Sequence, residues 1–515
     1  MSRSELLAGE RHFVLTLTIA SRTLRFSHQD LDISQDDGAV LPVSGGLMAD
    51  ISTARSVEFG QTRVPLNSVS MSIITEAHDW AAMVAAGYDL AAASGELSEW
   101  RTGQTWEQRR PLVVGLLTAP VYGAKGEELA FTLKDHPMED LSKFPGPTAL
   151  VDATTWPNAD ESAIGRNYPQ VFGEPGLANG VRYAGSPGLV VDSSNRYLLI
   201  AGHEVAATTV YVARSEEPQT WLSASVSHRT DGRGITVATI TLQTSGSAKY
   251  VAGEEYYISW SGDGGGRYDR TRTAAMRSAG EVLEFMLNES TLSVDRGRTA
   301  AASDQLRGYR IDCYIDTPVG IWQWLESQLL PVLPIAIRYA PGGLYPVIWE
   351  ASLSSVAEIL DADRSDVVRL GPVNTSTTLH GDLTNTIRLN YAVDALSGDY
   401  RAAYLLHGEP DRIANGENVA SSRATRISVA RYGVVPTDID SDVIWDPATA
   451  AAVIYQAAIR SALPTRQVNY LCPREFAWLE EGQGVQVTDS ELSLSLSFGL
   501  ITEIENLTDG TVRIE

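Results

Sequence analysis

Cysteine is nearly missing from this chain: Cys313 and Cys472 are the two among 515 residues. Two cysteines give neither a disulfide framework nor a metal-ligand spacing, so both read as small apolar residues. Synthesis in a reducing cytoplasm fits that usage. Long apolar runs are missing too. The nearest, LLPVLPIAI (Leu329–Ile337), is broken by Pro331 and Pro334 and is about half of what a spanning helix needs. The start, MSRSELLAGERHF, has no apolar signal core, which predicts no Sec export. The eight histidines form no HxH, HExxH or CxxC pattern, which leaves zinc chemistry without a motif. His203-Glu204 in AGHEVAA lacks the second histidine of a zinc helix and reads as a surface turn. No GxSxG elbow occurs, so a Ser–His–Asp hydrolase has no support.

Basic charge is also in short supply. Lys and Arg total 40 against 64 acids, a net charge of −24. That argues against a positively charged, DNA-gripping surface. It permits DNA to pass nearby without sticking, and it equally fits plain solubility.

The remaining look-alikes are incomplete. GDGGGRYD, within Ser261–Asp269, lacks the Lys-Ser/Thr pair of a phosphate loop and reads as a hinge. ILDADRSD (Ile359–Asp366) offers Asp361, Asp363 and Asp366 but not the central Gly and final Glu of a calcium loop. PTDIDSD (Pro436–Asp442) falls short in the same way, so incidental divalent binding is the most either supports. A carbohydrate-active enzyme stays open as an alternative, because the 64 acids offer many carboxylate pairs. The tryptophans Trp322, Trp324 and Trp349, however, read as core. The expectation is no catalytic, cofactor-binding or metal residue, no cofactor, and no enzyme.

What is present is a multidomain β-rich chain. Hydrophobic content of 43% and charged content of 20% suffice for packed cores, and the length predicts three or four domains. FVLTLTIASRTLRF puts Phe13, Leu15, Leu17 and Ile19 on one strand face. SVSMSII puts Val69, Met71 and Ile73 inward. HDWAAMVAAGYDLAAA (His78–Ala93) predicts an Ala-rich helix started by Asp79. PLVVGLLTAPVYG and ELAFTLKD then close a first domain, 1–135. A loop-rich passage leads into YLLIAGHEVAATTVYVA, GITVATITLQ and EYYISWSG, which suggest a small β-barrel over 136–265.

A mixed helix and hairpin domain follows over 266–372. SAGEVLEFMLNES aligns Val282, Phe285 and Met286 on one helical stripe. TPVGIWQWLESQLL predicts a helix from Thr317 with Pro318 at its first position. IAIRYAPGGLYPVIWEA predicts a hairpin through Pro341-Gly342-Gly343. The last domain, 373–515, contains the strands TNTIRLNYAV and AAYLLHG, then a polar loop. A helix capped by Asp446, with Pro447 at N1, runs to about Leu463 and is stopped by Pro464. Near the end, Leu492, Leu494, Leu496 and Phe498 alternate with serines as a half-buried strand. The fold class expected is mainly β with few helices (α+β).

The first and last regions echo each other. Both order their parts as strands, one Ala-rich helix and strands. GLLTAPVYGAKGEELAFTL (Gly115–Leu133) resembles GLITEIENLTDGTVRI (Gly499–Ile514). Two like units in a chain that trimerises would place six around an axis, a closed cyclic ring.

Three stretches resemble the tail hub proteins of tailed bacteriophages and related particles, including contractile-phage baseplate hubs and the hub part of long-tailed phage tip attachment proteins. The first is IGRNYPQVFGEPG with the strand after it, through Pro169, Phe172, Gly173 and Val210-Tyr211-Val212. The second is the helix and hairpin from Thr317 to Trp349. The third runs through Arg431-Tyr432-Gly433, Asp446 to Ala450, Pro464, and Leu479, Gly482 and Val485. Together they span roughly residues 110–515.

The resemblance implies a structural virion protein at the distal end of the tail, made in the host cytoplasm. It implies a homotrimer whose two tube-like domains, 1–135 and 373–515, form a pseudo-hexameric ring closing the tail tube. The implied neighbours are a tail tube or distal tail protein, a central spike or fibre protein, and the tape measure protein. DNA would pass through at genome ejection without specific binding, and the chain would insert in no membrane. A different baseplate or distal-tail ring component is the alternative. The chain ends at Glu515, straight after the last hub-like strand, so no fibre, receptor-binding or peptidase extension is expected.

Overall fold

The structure, a computed structural model, describes residues 9–19, 22–48, 53–56, 68–74, 80–90, 93–122, 128–135, 142–246, 248–260, 265–268, 274–340, 342–349, 356–364, 370–371, 373–377, 383–408, 418–507 and 511–515. It is mainly β, with several sheets and few helices.

Ten strands open the chain: β1 (Arg11–Ile19), β2 (Arg22–Phe26), β3 (Leu31–Ser34), β4 (Val40–Val43), β5 (Leu47–Met48), β6 (Thr53–Ser56), β7 (Ser68–Ile74), β8 (Ser94–Arg101), β9 (Arg110–Tyr122) and β10 (Glu128–Asp135). Seven of them form one sheet in the order β2-β1-β8-β9-β10-β7-β5. The alternation in β1 and β7 buries Leu15, Leu17, Val69, Met71 and Ile73 in one core with Trp80, Leu97 and Phe131. The helix expected over His78–Ala93 is shorter: α1 spans Trp80–Ala85. Gly87, at φ +91°, turns the chain away, a conformation a helix cannot absorb. Asp79 lies outside the described residues.

The central region is a seven-stranded sheet that curls on itself. Its two edge strands, Leu222–Ser225 and Ser227–Thr230, are separated by a single residue, Val226. The core holds Trp260, whose indole donates to Ser186 Oγ at 2.7 Å. His203 sits inside rather than on a surface turn, at 8% exposure. Its Nε2 accepts the Val171 N–H at 3.0 Å, and Nδ1 lies 2.7 Å from the Glu204 carbonyl oxygen. Burial pushes its pKa down to about 3, so the ring is a neutral bridge between loops.

The largest core joins α2 (Ala279–Glu289) and the hairpin Ile335–Ala340/Gly343–Ile348 to later segments. Val282 and Met286 are fully buried there, with Phe285 packed beside them. The helix expected from Thr317 instead begins at Ile321, because Val319-Gly320 pair as a strand with Lys143-Phe144. Sequence also missed α3 (Arg296–Gln305), capped by Asp295. The stretch read as a polar loop contains α5 (Arg423–Tyr432), numbered after α4 (Ile321–Trp324). α6 (Pro447–Ser461) follows, capped by Asp446 with Pro447 at its first position.

The later strands are β11 (Glu358–Asp361), β12 (Asn374–Thr377), β13 (Thr386–Val393), β14 (Tyr400–Leu406), β15 (Pro436–Asp440), β16 (Arg466–Cys472), β17 (Gly484–Asp489), β18 (Leu494–Leu500), β19 (Glu503–Asn506) and β20 (Val512–Ile514). β13 and β14 pack under α6, whose Ala450 and Ala458 allow close approach. β15 pairs in parallel with β13. A three-stranded sheet runs β11-β17-β18, and a five-stranded sheet runs β12-β16-β20-β19-β6. Leu496 and Phe498 on β18 are 59% and 60% exposed, so these two do not point inward as the alternation predicted. Leu496 has φ +47°, which breaks the two-residue period there.

Candidate functional site

The two ends of the chain share one strand arrangement. At the N-terminal end, β9 is long enough to serve two neighbours. Its first half pairs with β8, from Glu99↔Arg110 to Ser94↔Leu116, and its second half pairs with β10, from Gly115↔Asp135 to Tyr122↔Leu129. β10 then pairs with β7, and β7 with β5. At the C-terminal end, β18 pairs with β17, β19 with β20, β20 with β16, and β16 with β12. All of these pairs are antiparallel. The run β5-β7-β10-β9 therefore corresponds to β12-β16-β20-β19, with β18 and β19 standing for the two halves of β9. The closing segments that rhyme in sequence are the hairpins at the centre of each unit. The flanking strands differ: β11 lies parallel to β17, whereas β1 lies antiparallel to β8. The helices also stand at different points, since α1 follows β7 and α6 precedes β16.

The two units are tied together by backbone and by charge. β6 leaves the N-terminal unit and pairs with β19 through Ser56↔Glu503, Arg55↔Ile504, Ala54↔Glu505 and Thr53↔Asn506. Nearby, Arg474 Nη2 reaches Glu99 Oε1 at 3.4 Å, and Arg110 Nη1 donates to the Ala477 carbonyl at 3.0 Å. Glu99 is 4% exposed and also pairs with Arg101 and with Arg11, at 3.5 Å. Burial pushes the Glu99 carboxyl up, but Arg11, Arg101, Arg110 and Arg474 outweigh it and hold the pKa below the usual range. A second buried pair, Arg338 with Glu481, joins the Ile335–Ile348 hairpin to the turn before β17.

The outward faces of the two units are short, and neither carries a basic excess. Ser68, Ser70, Ser72, Ala130 and Thr132 line one, and Ser70 Oγ lies 2.9 Å from Thr132 Oγ1. Glu128 and Lys134 are the charges on β10 of this face. The other carries Asn374, Ser376, Gln467 and Asn469, with Ser376 donating to Gln467 at 2.7 Å and an Arg513–Glu505 ion pair. Glu503 and Glu515 lie on the same side of β19 and β20 as that pair, so the second face is mildly acidic.

The positions that carry the family resemblance are framework positions. Gly173, at φ +64°, lies where a Cβ would strike Asp312 and the Ile311 carbonyl. Gly433 ends α5 at φ +78°, and Gly482 turns the chain at φ +82°. Val210, Val212, Leu479 and Val485 are buried. Asp363 accepts from Ser490, Asp440 from Asn390, and Asp442 from Tyr400. Asp363 joins two turns, while Asp440 and Asp442 tie β15 and the residues after it to β13 and β14; Asp366 lies outside the described residues. Among the described residues, no group of three or more His, Cys, Asp or Glu side chains is placed to hold a metal ion. Part of the expected hinge Ser261–Asp269 is described, and that part is tied down: Gly265 N–H donates to Glu174 at 3.0 Å and Tyr268 to Glu204 at 2.6 Å. Among the described residues, no helix is long and apolar enough to cross a membrane.

Comparison with known proteins gives no family and no curated relative that matches. Among solved structures, the chain is similar to the 43 kDa tail protein of prophage MuSo2 from Shewanella oneidensis, at 9% identity and TM-score 0.33, over 97% of this chain and 94% of that one. It is also similar to a chain in the virion of a native gene transfer agent particle, at 13% identity and TM-score 0.40, over 70% of this chain and 85% of that one.

Proposed function

We propose that this chain is a structural virion protein: the trimeric hub at the distal end of a phage tail. Its two like units, three copies over, form a pseudo-hexameric ring that closes the tail tube. The domains between them hold a central spike or fibre protein. The reading rests above all on the correspondence of β5-β7-β10-β9 with β12-β16-β20-β19 within one chain. A repeat joined head to tail by β6 on β19 has the geometry of a heterologous contact, and such contacts form a ring when their rotation closes. Outer faces without a basic excess fit a channel wall along which DNA slides, since phosphate contacts would hold it on a basic wall.

Light scattering on the purified chain tests the reading. A particle of three times the 55.7 kDa chain mass is the expected result. A single-chain mass at every concentration, with and without a tail tube protein added, would reject the ring.

A further inference from the structure

In the C-terminal unit, β19 has β20 on one side and β6 on the other. In the N-terminal unit, the matching strand half has β10 on one side. On the other side, β8 stops at Ser94↔Leu116, and Leu117 N–H still reaches the Ala93 carbonyl at 3.0 Å. Past that point, among the described residues, no strand lies beside Thr118–Tyr122. This is the same edge that β6 covers in the other unit.

We propose that this edge of β9 is a strand-addition site, filled by an extended segment from the C-terminal unit of a second copy of this chain. The proposal rests on the ring reading and names its contact. The occupant follows from continuity with the contact already made inside the chain. There, one unit lends a strand to the next unit's edge. If the units alternate around a closed ring, each contact between chains repeats that loan, and the acceptor is β9.

The side chains at the edge suit a covered position. Val121 is 64% exposed and Tyr122 42%, and farther across the sheet Ile74 on β7 is 48% and Met48 on β5 57% exposed. Val121 and Met48 rim a shallow depression over Ser70, Ser72 and Thr132. Pro120 has no N–H to offer, and Ala119 adopts φ +50° where the β9–β10 register shifts. A proline and a bulge keep an edge short and limit indiscriminate pairing. Adjacent residues of an antiparallel strand bond to opposite sides, so one of Val121 and Tyr122 serves β10 and the other faces the edge, available to one matched strand.

The experiment compares the wild-type chain with Val121→Asp and Val121→Thr by light scattering and by amide hydrogen exchange at Val121 and Tyr122. Thr53–Ser56 serve as the internal standard. The wild type should form the trimer with the edge-facing amide of the two protected as well as the one that serves β10. Val121→Thr should behave alike. Val121→Asp should weaken association by roughly tenfold or more, as a charge buried at an interface does, with Thr53–Ser56 protection unchanged, so that failure to fold is told apart. A trimer that survives Val121→Asp with fast exchange at the edge-facing amide of Val121 and Tyr122 overturns this contact and leaves the ring standing. A wild type that never assembles overturns both.

Discussion

Arg474 lies 3.4 Å from Glu99, a contact that spans 375 residues of sequence. One residue stands on β8, the other in the short turn before β17, so the pair joins the two corresponding units. Glu99 is surrounded by four arginines and is all but closed to water. Arg101 is 1% exposed at its side chain, and among the described residues its Nε and Nη1 find no hydrogen-bond partner. Glu99 is thus the counter-charge on which Arg101 depends.

Glu99→Gln should cost about 3–5 kcal/mol of stability at neutral pH, the range for breaking a buried pair from one side. The reason is less the lost attraction than the arginine left buried without an anion. Denaturant unfolding followed by near-UV circular dichroism measures it. A loss under about 1 kcal/mol would show that water reaches the cluster.

The same carboxyl sets a pH dependence. Its folded pKa lies below the ordinary value, so its stabilisation is present above the unfolded carboxylate pKa, near 4.3. That stabilisation is lost as pH falls through the lowered folded value. Thermal midpoints recorded from about pH 6 downward should therefore drop for the wild type in the strongly acid range. Glu99→Gln should be flatter there, because it has nothing left to protonate.

Asp312 works in the opposite direction. Burial pushes its carboxyl up to about 6, although the Glu174 N–H donates to it at 2.6 Å. A raised folded pKa means stability that is full below the unfolded value and is lost as pH rises through about 6. Asp312→Asn keeps an acceptor for the Glu174 N–H and removes the titration. It should therefore gain on the wild type between about pH 4 and pH 7, read as a difference in thermal midpoint.

Gly173→Ala bears on the same contact. At φ +64° the backbone disfavours any side chain, and the new Cβ would strike Asp312 and Ile311. A loss of about 1–3 kcal/mol is expected. It should show first as faster exchange at the Glu174 amide, which donates to Asp312.

Local chemistry was legible in the sequence; long-range partnership was not. The alternation in β1 and β7 and the Gly-bearing hairpin from Ile335 to Ile348 follow from nearest neighbours, and the structure has them where the pattern puts them. α5 escaped because its buried side is Thr425, Ser428 and Val429, two hydroxyls and one aliphatic, which reads as polar loop. Thr317 and Pro318 carry a valid helix start, but Val319-Gly320 pair with a strand more than 170 residues earlier, and that pairing wins. The surface that matters most here, β6 on β19 with Glu99 near Arg474, joins residues about 370 to 450 positions apart. No periodicity signals such a meeting. The hint available was the likeness of Gly115–Leu133 to Gly499–Ile514.

Asp446 offers the sharpest separation of two roles for one carboxylate. Its Oδ2 accepts from the Thr449 backbone N–H and from Thr449 Oγ1, both at 2.9 Å. Thr449 Oγ1 in turn accepts the Arg310 N–H at 2.9 Å. The cap therefore orients a buried hydroxyl that holds the loop before Asp312. Asp446→Asn keeps an acceptor oxygen and should cost only a few tenths of a kcal/mol. Asp446→Ala should cost about 1–2 kcal/mol, because the helix loses its cap and Thr449 loses its acceptor. Thr449→Val leaves the Arg310 N–H without its partner, so it should cost a similar amount while α6 keeps its start. Exchange at the Thr449 and Arg310 amides tells the cases apart: Asp446→Ala frees both, Thr449→Val frees Arg310 alone. Were Asp446→Asn as damaging as Asp446→Ala, charge at the helix terminus rather than hydrogen bonding would be what holds α6 in place.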